Sequence, residues 1–222
     1  MQRELFRRRV DGLFAEGEAI LDLGCGTGED ASRLALLGVG HYAIDSSPEM
    51  VRIARERGID AHLLPIEEIG ALQGRFDGAI SNFGALNCVE RISDLREPLS
   101  RLIRPGGYLA FCLMGRFCLW ETIWYALRGQ AGKAARRWPG HASSSLGLRV
   151  FYPTVRDVAR SLSPEFELVS AAGIGIFVPP SDVAGLQDTH VNLMGRIDAM
   201  VGSWPLFRAL ADHRLLVFRN GR

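Results

Sequence analysis

The sequence predicts an α/β fold in which a mostly parallel sheet is covered by helices on both faces. Short apolar segments alternate with amphipathic segments along most of the 222 residues, as in repeated βαβ units. A glycine-rich turn follows the first apolar segment and precedes a helix-like one, in the stretch ILDLGCGTGED at 20–30. A chain of this length and apolar content can bury a sizeable core. We therefore expect one domain over residues 1–222.

The secondary structure elements can be assigned in order along the chain. An opening helix is predicted over 3–15, because its apolar residues are spaced toward one face. Apolar runs bounded by turn residues predict strands at 19–23, 41–44, 59–64, 76–81 and 108–114. The gaps between them predict helices at 29–37, 48–57 and 94–103. Pro98 is expected in the first turns of the last helix, since proline deeper in a helix would break it.

Two long insertions separate the later elements. The first, 116–149, lies between the fifth strand and a capping box, Thr154 to Asp157, that starts a helix running to about 162. A strand is predicted over 166–178, and the last strand over 213–218. The second insertion, 179–212, lies between these two strands and contains a predicted helix around 191–201.

Composition argues against several classes of protein. The formal net charge of +1 disfavours nucleic acid, or an acidic membrane surface, as a partner for the whole molecule. No apolar run is as long as a membrane span, and the N-terminus lacks the apolar core of a signal peptide, so we expect a cytoplasmic protein. The 4 cysteines show no C-x-x-C spacing. Free thiols are therefore expected, and no metal site.

The glycine turn predicts a nucleoside-binding site. Because glycine has no Cβ, a ligand can approach the main chain closely there. Asp45 follows about twenty residues later, at the predicted end of the next strand, where a carboxylate can accept hydrogen bonds from both hydroxyls of a ribose. The alternative is that Asp45 caps the helix that begins near Pro48.

The chemistry of the loop disfavours a dinucleotide. A dinucleotide fingerprint has the spacing G-x-G-x-x-G, whereas here the third glycine comes one residue early and Glu29 takes its place. Asp22, Glu29 and Asp30 would also repel a pyrophosphate. A zwitterion with an ammonium, a carboxylate and a sulfonium fits better, because the loop amides can bind its carboxylate and the acids its cations. Alternatively, Glu29 and Asp30 only complement the helix dipole.

At these residues the chain resembles the class I S-adenosylmethionine-dependent methyltransferases. Four blocks occur in the family's order, DLGCGTG at 22–28, AIDSSPEM at 43–50, RFDGAISNFGALN at 75–87 and RLIRPGGYLAF at 101–111. The resemblance covers about 20–114. It implies a Rossmann-like, doubly wound sheet of seven strands with an antiparallel last strand. It also implies that the insertions are lids over the substrate and that the cofactor is S-adenosylmethionine.

The resemblance further implies a set of cofactor contacts. Asp45 would hold the ribose, and Asp22 would orient the methionine ammonium, unless loop amides pair with Asp22 for structural reasons. Asn82 and Phe83 follow the fourth strand, where the methyl group would be delivered. The other implied contacts are the backbone of Gly24, Cys25 and Gly26 and the walls formed by Ser46 and Met50.

The adenine end departs from the family's pattern. Many members place an acid after the third strand to accept a hydrogen bond from the adenine amino group, but Pro65 occupies that position here. Either the Ile66 amide and its apolar neighbours bind the adenine, or Glu67 substitutes from the next turn.

The acceptor is expected to be a small molecule. The segment SNFGALN differs from the patterns of family members that methylate base or glutamine amides. Residues 116–129 predict a helix that is apolar almost all round, which suits an apolar or aromatic acceptor. A basic run could instead meet an anionic group, a carrier protein or phospholipid, and it comprises Arg128, Lys133, Arg136 and Arg137.

We therefore predict a small-molecule methyltransferase, with O-methylation favoured and positioning as the main source of catalysis. A hydroxyl acceptor would profit from a general base. Candidates near the insertions are His190, His141 and Tyr152, whereas His62 and His213 on predicted strands are expected to be structural. One alternative is a non-catalytic regulatory or scaffold protein that binds S-adenosylmethionine or S-adenosylhomocysteine. The other is an NAD-dependent oxidoreductase.

Overall fold

A computed structural model of the chain describes residues 2–144, 147–178 and 188–221, with the side chains of 188–192 excepted. Its strands are β1 (Ala19–Leu23), β2 (Gly40–Asp45), β3 (Ala61–Leu63), β4 (Phe76–Ser81), β5 (Ile103–Met114), β6 (His141–Ser143), β7 (Arg149–Phe151), β8 (Phe166–Ile174) and β9 (His213–Asn220). Its α-helices are α1 (Gln2–Val10), α2 (Glu29–Ala35), α3 (Pro48–Glu56), α4 (Arg96–Leu102), α5 (Leu119–Leu127), α6 (Ala131–Ala134), α7 (Val155–Leu162), α8 (Asp188–Val201) and α9 (Pro205–Leu210). Short 3₁₀ turns span Ile66–Ala71, Leu86–Cys88 and Ile92–Leu95.

One seven-stranded sheet organises the molecule, in the strand order β3-β2-β1-β4-β5-β9-β8. The first five strands in the sequence run parallel to one another. β9 lies between β5 and β8 and runs antiparallel to both. The predicted doubly wound, mostly parallel sheet with a reversed last strand is therefore confirmed. β6 and β7 pair separately as a two-stranded ribbon.

Alternating side chains of the central strands divide the core between the two faces of the sheet. Leu21 and Leu23 join the cluster under α4 and α7, whereas Ile20 joins the cluster under α1 and α2. Because both faces are covered, β1 is apolar at every position except Asp22. The parallel strands end at one edge of the sheet, and Asp22 and the glycine turn lie at that edge.

The predicted bounds of β1 and β4 are confirmed, β2, β5 and β9 extend beyond their predicted bounds, and α1 and β3 are shorter for local reasons. α1 ends at Val10 rather than at 15, because Asp11 and Gly12 are weak helix formers. Phe14 then packs its ring against Gly78 from the following loop. β3 spans three residues because β2 ends at Asp45 and offers β3 no partner beyond Leu63.

Two later boundaries follow from side chains that bind backbone groups. β8 ends at Ile174 rather than at 178, since the buried carboxylate of Asp198 accepts hydrogen bonds from the N–H groups of Ile176 and Phe177 at 3.0 and 2.8 Å. The capping box that starts α7 is confirmed, with Thr154 and Asp157 bonded to each other's backbone N–H. Pro98 lies third in α4, within the first turn as expected.

The first insertion forms α5, α6 and the β6–β7 ribbon, whose strand β7 extends just past the predicted boundary at 149. The amide of Asn87 fastens this ribbon to the sheet by donating to the carbonyl oxygens of Phe151 at 2.6 Å and Met114 at 3.1 Å. The second insertion contains α8, as predicted, and α9, while its residues 179–187 lie outside the described part of the chain. No helix within the described ranges is long and apolar enough to cross a membrane.

A buried ionic network ties the two insertions together. Glu121 is the buried residue of α5, and its carboxylate accepts from Arg137 at 2.5 Å and from Arg136 at 2.6 Å. Arg137 also lies 2.9 Å from Asp212, at the end of the second insertion. Trp120 adds an uncharged link, because its indole N–H donates to the carbonyl oxygen of Phe177 at 3.0 Å. The insertions therefore contact each other and the sheet edge.

This network predicts a large effect on stability. Arg137→Met keeps much of the side-chain volume but leaves two buried carboxylates without their shared cation. We expect a loss of about 3–5 kcal/mol in the free energy of unfolding, the range for breaking a buried pair from one side, measured by urea denaturation. The control Arg156→Ala removes an exposed arginine of α7 and should change stability by less than about 0.5 kcal/mol. Equal, small effects of both substitutions would contradict this role of the network.

Candidate active site

The glycine turn combines close packing on one side with open space on the other. Gly24 has a φ of 73°, and a Cβ there would collide with the side chain of Ala85. Gly26 has a φ of 54°, and a Cβ there would meet no atom within 4 Å. Gly24 therefore lets the loop lie against the segment after β4. Gly26 faces the space in which a ligand can approach the main chain.

Asp45 braces this loop from the end of β2. Its carboxylate accepts hydrogen bonds from the N–H groups of Gly26 at 2.9 Å and Ser47 at 2.8 Å. The alternative that Asp45 caps α3 is wrong, because Ser47 is the N-cap residue and accepts from the N–H of Met50. Each oxygen of a carboxylate can accept more than one hydrogen bond. Asp45 can therefore hold the loop and still accept two hydroxyl donors from a ligand.

A second group of polar side chains lies beside the loop, on the α1 face of the sheet. Asp30, in the first turn of α2, accepts from Arg3 at 2.6 Å and from Arg7 at 3.3 Å. The amide nitrogen of Asn82, just after β4, also donates to Asp30, at 2.7 Å. Two buried oxygens, Oδ2 of Asp22 and Oδ1 of Asn82, have no hydrogen-bond partner among the described residues.

The electrostatics of this group favour a positively charged ligand. Burial, followed by the nearby carboxylates of Asp30 and Asp45, raises the pKa of Asp22 well above its usual range, and Arg3 offsets this only in part. Burial and the nearby carboxylates of Asp22 and Asp45 raise the pKa of the Cys25 thiol to about 12. A cation bound beside Asp22 would stabilise its ionised form.

The loop amides are not available in the way the sequence suggested. The N–H groups of Gly24 and Cys25 both donate to the carbonyl oxygen of Ile44, at 2.8 and 2.9 Å. Gly26 donates to Asp45, and Gly28 donates to the carbonyl oxygen of Cys25. The expectation that these amides bind a ligand carboxylate therefore needs correction. Contacts of Gly24, Cys25 and Gly26 with a cofactor would involve their carbonyl groups and Cα atoms.

One of the residues predicted to bind adenine, Ile66, lies next to the glycine turn. Ile66 is buried, and its Cδ1 atom is 3.4 Å from the point where a Gly24 Cβ would lie. Glu67 is exposed in the first turn of the 3₁₀ segment that follows Pro65. Ser46 and Met50 are also exposed, beyond the end of β2. Their contacts with adenine or ribose remain predictions.

Phe83 lies at the end of β4 in an unusual conformation. Its φ is 47°, in the left-handed region that non-glycine residues seldom adopt. Its ring meets the edge of His213 with 4.9 Å between centroids. The same ring packs near Phe6 and lies under the guanidinium of Arg3. The side chain of Phe83 therefore belongs to an aromatic cluster on the α1 face, and its turn redirects the chain after Asn82.

The three candidate bases occupy different environments. His141 is exposed on β6, while Tyr152 is only 4% exposed and lies 5.5 Å from the guanidinium of Arg137. Burial raises the pKa of the Tyr152 hydroxyl, which makes it a poor base. The backbone of His190 belongs to α8, and its side chain is outside the described part of the structure. Which of the three, if any, acts as a base therefore stays a prediction.

The predicted basic surface on the first insertion is also divided. Arg136 and Arg137 bind Glu121, and Arg128 lies 3.3 Å over the ring of Trp124. Lys133 lies 5.6 Å from the centre of the Tyr125 ring. Arg137 is thus buried, whereas Arg128, Lys133 and Arg136 are exposed, and binding of an anionic carrier stays a prediction.

Sequence reasoning missed the partners that organise the site. Arg3 and Arg7 lie 27 and 23 positions from Asp30, so no local motif connects them. His213 was expected to be structural, yet it contacts Phe83 at the site edge. No sequence signal separates this histidine from an ordinary strand residue.

Comparisons with known proteins agree with this geometry. A family model described as a methyltransferase domain matches residues 14–141, which is more than half of the chain. The ubiquinone biosynthesis O-methyltransferase of Xanthomonas oryzae pv. oryzae (strain PXO99A) is 29% identical over 106 residues, covering 45% of this chain and 44% of that protein. The match therefore spans less than half the length of this curated relative.

Solved structures share the fold across the whole chain. An S-adenosylmethionine-dependent methyltransferase from Mesorhizobium loti has a TM-score of 0.66 at 18% identity, covering 99% of this chain and 100% of that one. The Burkholderia thailandensis 1,6-didemethyltoxoflavin-N1-methyltransferase, solved with its substrate and S-adenosylhomocysteine, has a TM-score of 0.61 at 16% identity and covers 100% and 78%. The chain belongs to the methyltransferase domain family: it is a class I S-adenosylmethionine-dependent methyltransferase, with S-adenosylmethionine as its cofactor.

Proposed function

We propose that this enzyme methylates a hydroxyl oxygen of a small apolar or aromatic molecule, with residues 1–222 acting as one catalytic domain. The observation that carries the proposal is a change from acidic to aromatic side chains along the edge where the parallel strands end. The edge is acidic at β1 and β2, and it becomes aromatic toward β5 and β9, where Phe83 packs against His213. An apolar acceptor fits the second part. The O-methyltransferase relative supports oxygen as the acceptor atom, over the part of the chain that it matches.

We assign the cofactor contacts from the unpaired oxygens and the open side of the glycine turn. When bound, S-adenosylmethionine supplies an electrophilic methyl group on a sulfonium. Oδ2 of Asp22 and Oδ1 of Asn82 accept hydrogen bonds from the cofactor's ammonium, which gives both buried atoms a partner. Asp45 accepts hydrogen bonds from the ribose hydroxyls, and Ile66 packs against the adenine.

On this account the chain accelerates the reaction mainly by positioning. The buried acids fix the amino end of the cofactor, and Asp45 fixes its ribose, so the methyl group faces the aromatic part of the edge. Holding both reactants in line can contribute on the order of 7–11 kcal/mol to lowering the barrier. The two insertions exclude water from the acceptor, because the network of Glu121, Arg137 and Asp212 holds them together over the edge.

The first test of the assignment is Asp22→Asn. Because the pKa of Asp22 is higher in the folded state than in the unfolded state, ionisation of Asp22 opposes folding. The free energy of unfolding therefore falls as the pH rises from the unfolded-state pKa toward the folded-state pKa. Removing the charge should raise the Tm of the cofactor-free protein near neutral pH, by about 2–4 °C for each kcal/mol gained. The same substitution should weaken S-adenosylhomocysteine binding by about tenfold or more, measured by calorimetry.

Asp22→Asn is expected to raise the Tm and to weaken S-adenosylhomocysteine binding, and Asp30→Asn is its matched control. Asp30 already binds Arg3 and Arg7, so loss of its charge should lower the Tm. An Asp22→Asn variant with a lower Tm and unchanged affinity would contradict the assignment.

The second test is Asp45→Asn, which keeps one carbonyl oxygen for the loop but removes the charge and one acceptor. We expect affinity for S-adenosylhomocysteine to fall by about 1.5–3 kcal/mol, the range for hydrogen bonds to a charged group. Asp94→Asn, at an exposed ion pair, should leave affinity unchanged. Equal affinities of the two variants would refute the ribose contact.

The acceptor itself is tested by product analysis. The enzyme is incubated with isotope-labelled S-adenosylmethionine and a panel of phenols, aromatic amines and activated carbon acceptors of similar size. We expect labelled methyl ethers, identified by mass and by the chemical shift of the new methyl group. Products methylated only on nitrogen or carbon would refute O-methylation while leaving the cofactor assignment intact.

A further inference from the structure

His213 lies at the edge of the sheet that carries the cofactor site. β9 runs antiparallel to β5, so it begins where β5 ends, and His213 pairs with Met114 at that point. Its side chain shares a face of the sheet with Leu215 and Val217, which pack in the same cluster as α1. This is also the face on which Asp30 and Phe83 meet Arg3 and Asn82 donates to Asp30.

The two sides of the imidazole have different surroundings. Nδ1 lies 3.3 Å from the carboxylate of Asp212, and the ring meets Phe83 edge-on at an interplanar angle of 89°. The side chain keeps 11% of its surface exposed. Among the described residues, none forms a hydrogen bond with Nε2. The imidazole therefore lies beside an acid at Nδ1, which forms no hydrogen bond within the described residues, and no described residue pairs with Nε2.

We propose that His213, oriented by Asp212, is the general base that accepts the proton of the acceptor hydroxyl. This role rests on the proposed O-methylation. The arrangement resembles a base with an orienting carboxylate, in which the acid fixes the tautomer and stabilises the imidazolium once it forms. The acceptor would lie between the imidazole and the methyl group, against Phe83.

The charges around His213 suit this role. Burial alone would raise the pKa of Asp212, yet His213 and Arg137 hold that pKa well below its usual range, so the carboxylate stays ionised. Arg137 also binds Glu121, so its positive charge is divided between the carboxylates of Glu121 and Asp212. Arg214 is adjacent in sequence, and the guanidinium of Arg3 lies 5.2 Å from the centre of the Phe83 ring.

The proton and electrons balance in a single displacement. The acceptor O–H bond breaks and its proton moves to Nε2 of His213. The oxygen forms a bond to the methyl carbon, and the electron pair of the breaking S–C bond goes to sulfur. The products are a methyl ether, a neutral thioether and an imidazolium, which returns its proton to water after product release.

The test compares His213→Gln with His41→Gln, a control near the start of β2 and away from the site edge. Rates are measured with S-adenosylmethionine and a series of phenols that ranges from mostly neutral to mostly ionised at the assay pH. His213→Gln should lower kcat for the neutral phenols by about 10²–10⁴-fold. It should abolish the fall in rate toward acid pH and cost far less with ionised phenols, which have no proton to lose.

Binding and folding are followed separately. Affinity for S-adenosylhomocysteine should stay close to the wild-type value in both variants, whereas His213→Gln should lower the Tm, because buried Asp212 loses a partner. In the wild-type complex with S-adenosylhomocysteine, adding a phenol should shift the ¹⁵N resonance of the His213 side chain. This measurement needs no substitution, so it applies even if glutamine disturbs the packing against Phe83.

The outcomes separate the two proposals. An equal loss of rate for neutral and ionised phenols, an unchanged rate with neutral phenols, or an unperturbed His213 resonance would overturn the role of His213 alone. A wild-type enzyme that methylates no phenol or other hydroxyl would refute the proposed function, and the base role would fall with it.

Discussion

The site depends on one constraint: the buried carboxyl group of Asp22 has too little positive charge nearby to balance its ionised form. Three carboxylates lie close together at one sheet edge, where burial and the other two raise the pKa of Asp22, but the fold treats them differently. Asp45 accepts from two backbone N–H groups, and Asp30 binds two arginines. Asp22 has a buried oxygen with no described partner. The protein therefore holds a buried acid whose ionised form Arg3 stabilises only in part, and on the proposed function the ammonium of the cofactor adds to that stabilisation.

The rest of the structure places this constraint where it can be used. The parallel strands bring the acids of β1 and β2 to the same edge as the end of β4. α1 contributes the arginines that neutralise Asp30, which keeps the α2 terminus in place without neutralising Asp22. The insertions reach the other end of the edge through Arg137. On the proposed function, cofactor and acceptor meet between an acidic wall and an aromatic wall.

Sequence reasoning predicted the parts of this arrangement that local pattern encodes. The strand, glycine turn and helix, and the acid at the end of the next strand, lie as expected, because each depends on neighbours within about twenty residues. The contacts that balance charge could not be predicted. Asp30 meets Arg3 across 27 positions, and Arg137 joins Glu121 to a residue far along the chain. The basic run and the apolar helix were visible in the sequence, but the pairing of Arg137 with Glu121 and Asp212 depends on tertiary packing that periodicity does not report.

Calorimetry of S-adenosylhomocysteine binding in buffers with different ionisation enthalpies tests the central claim most directly. If the site holds a carboxyl group that is partly protonated until an ammonium arrives, binding near neutral pH must release protons. The observed enthalpy should then depend on the buffer in the wild-type protein and lose this dependence in the Asp22→Asn variant. A binding enthalpy that is independent of the buffer, or equally dependent in both proteins, would contradict the account.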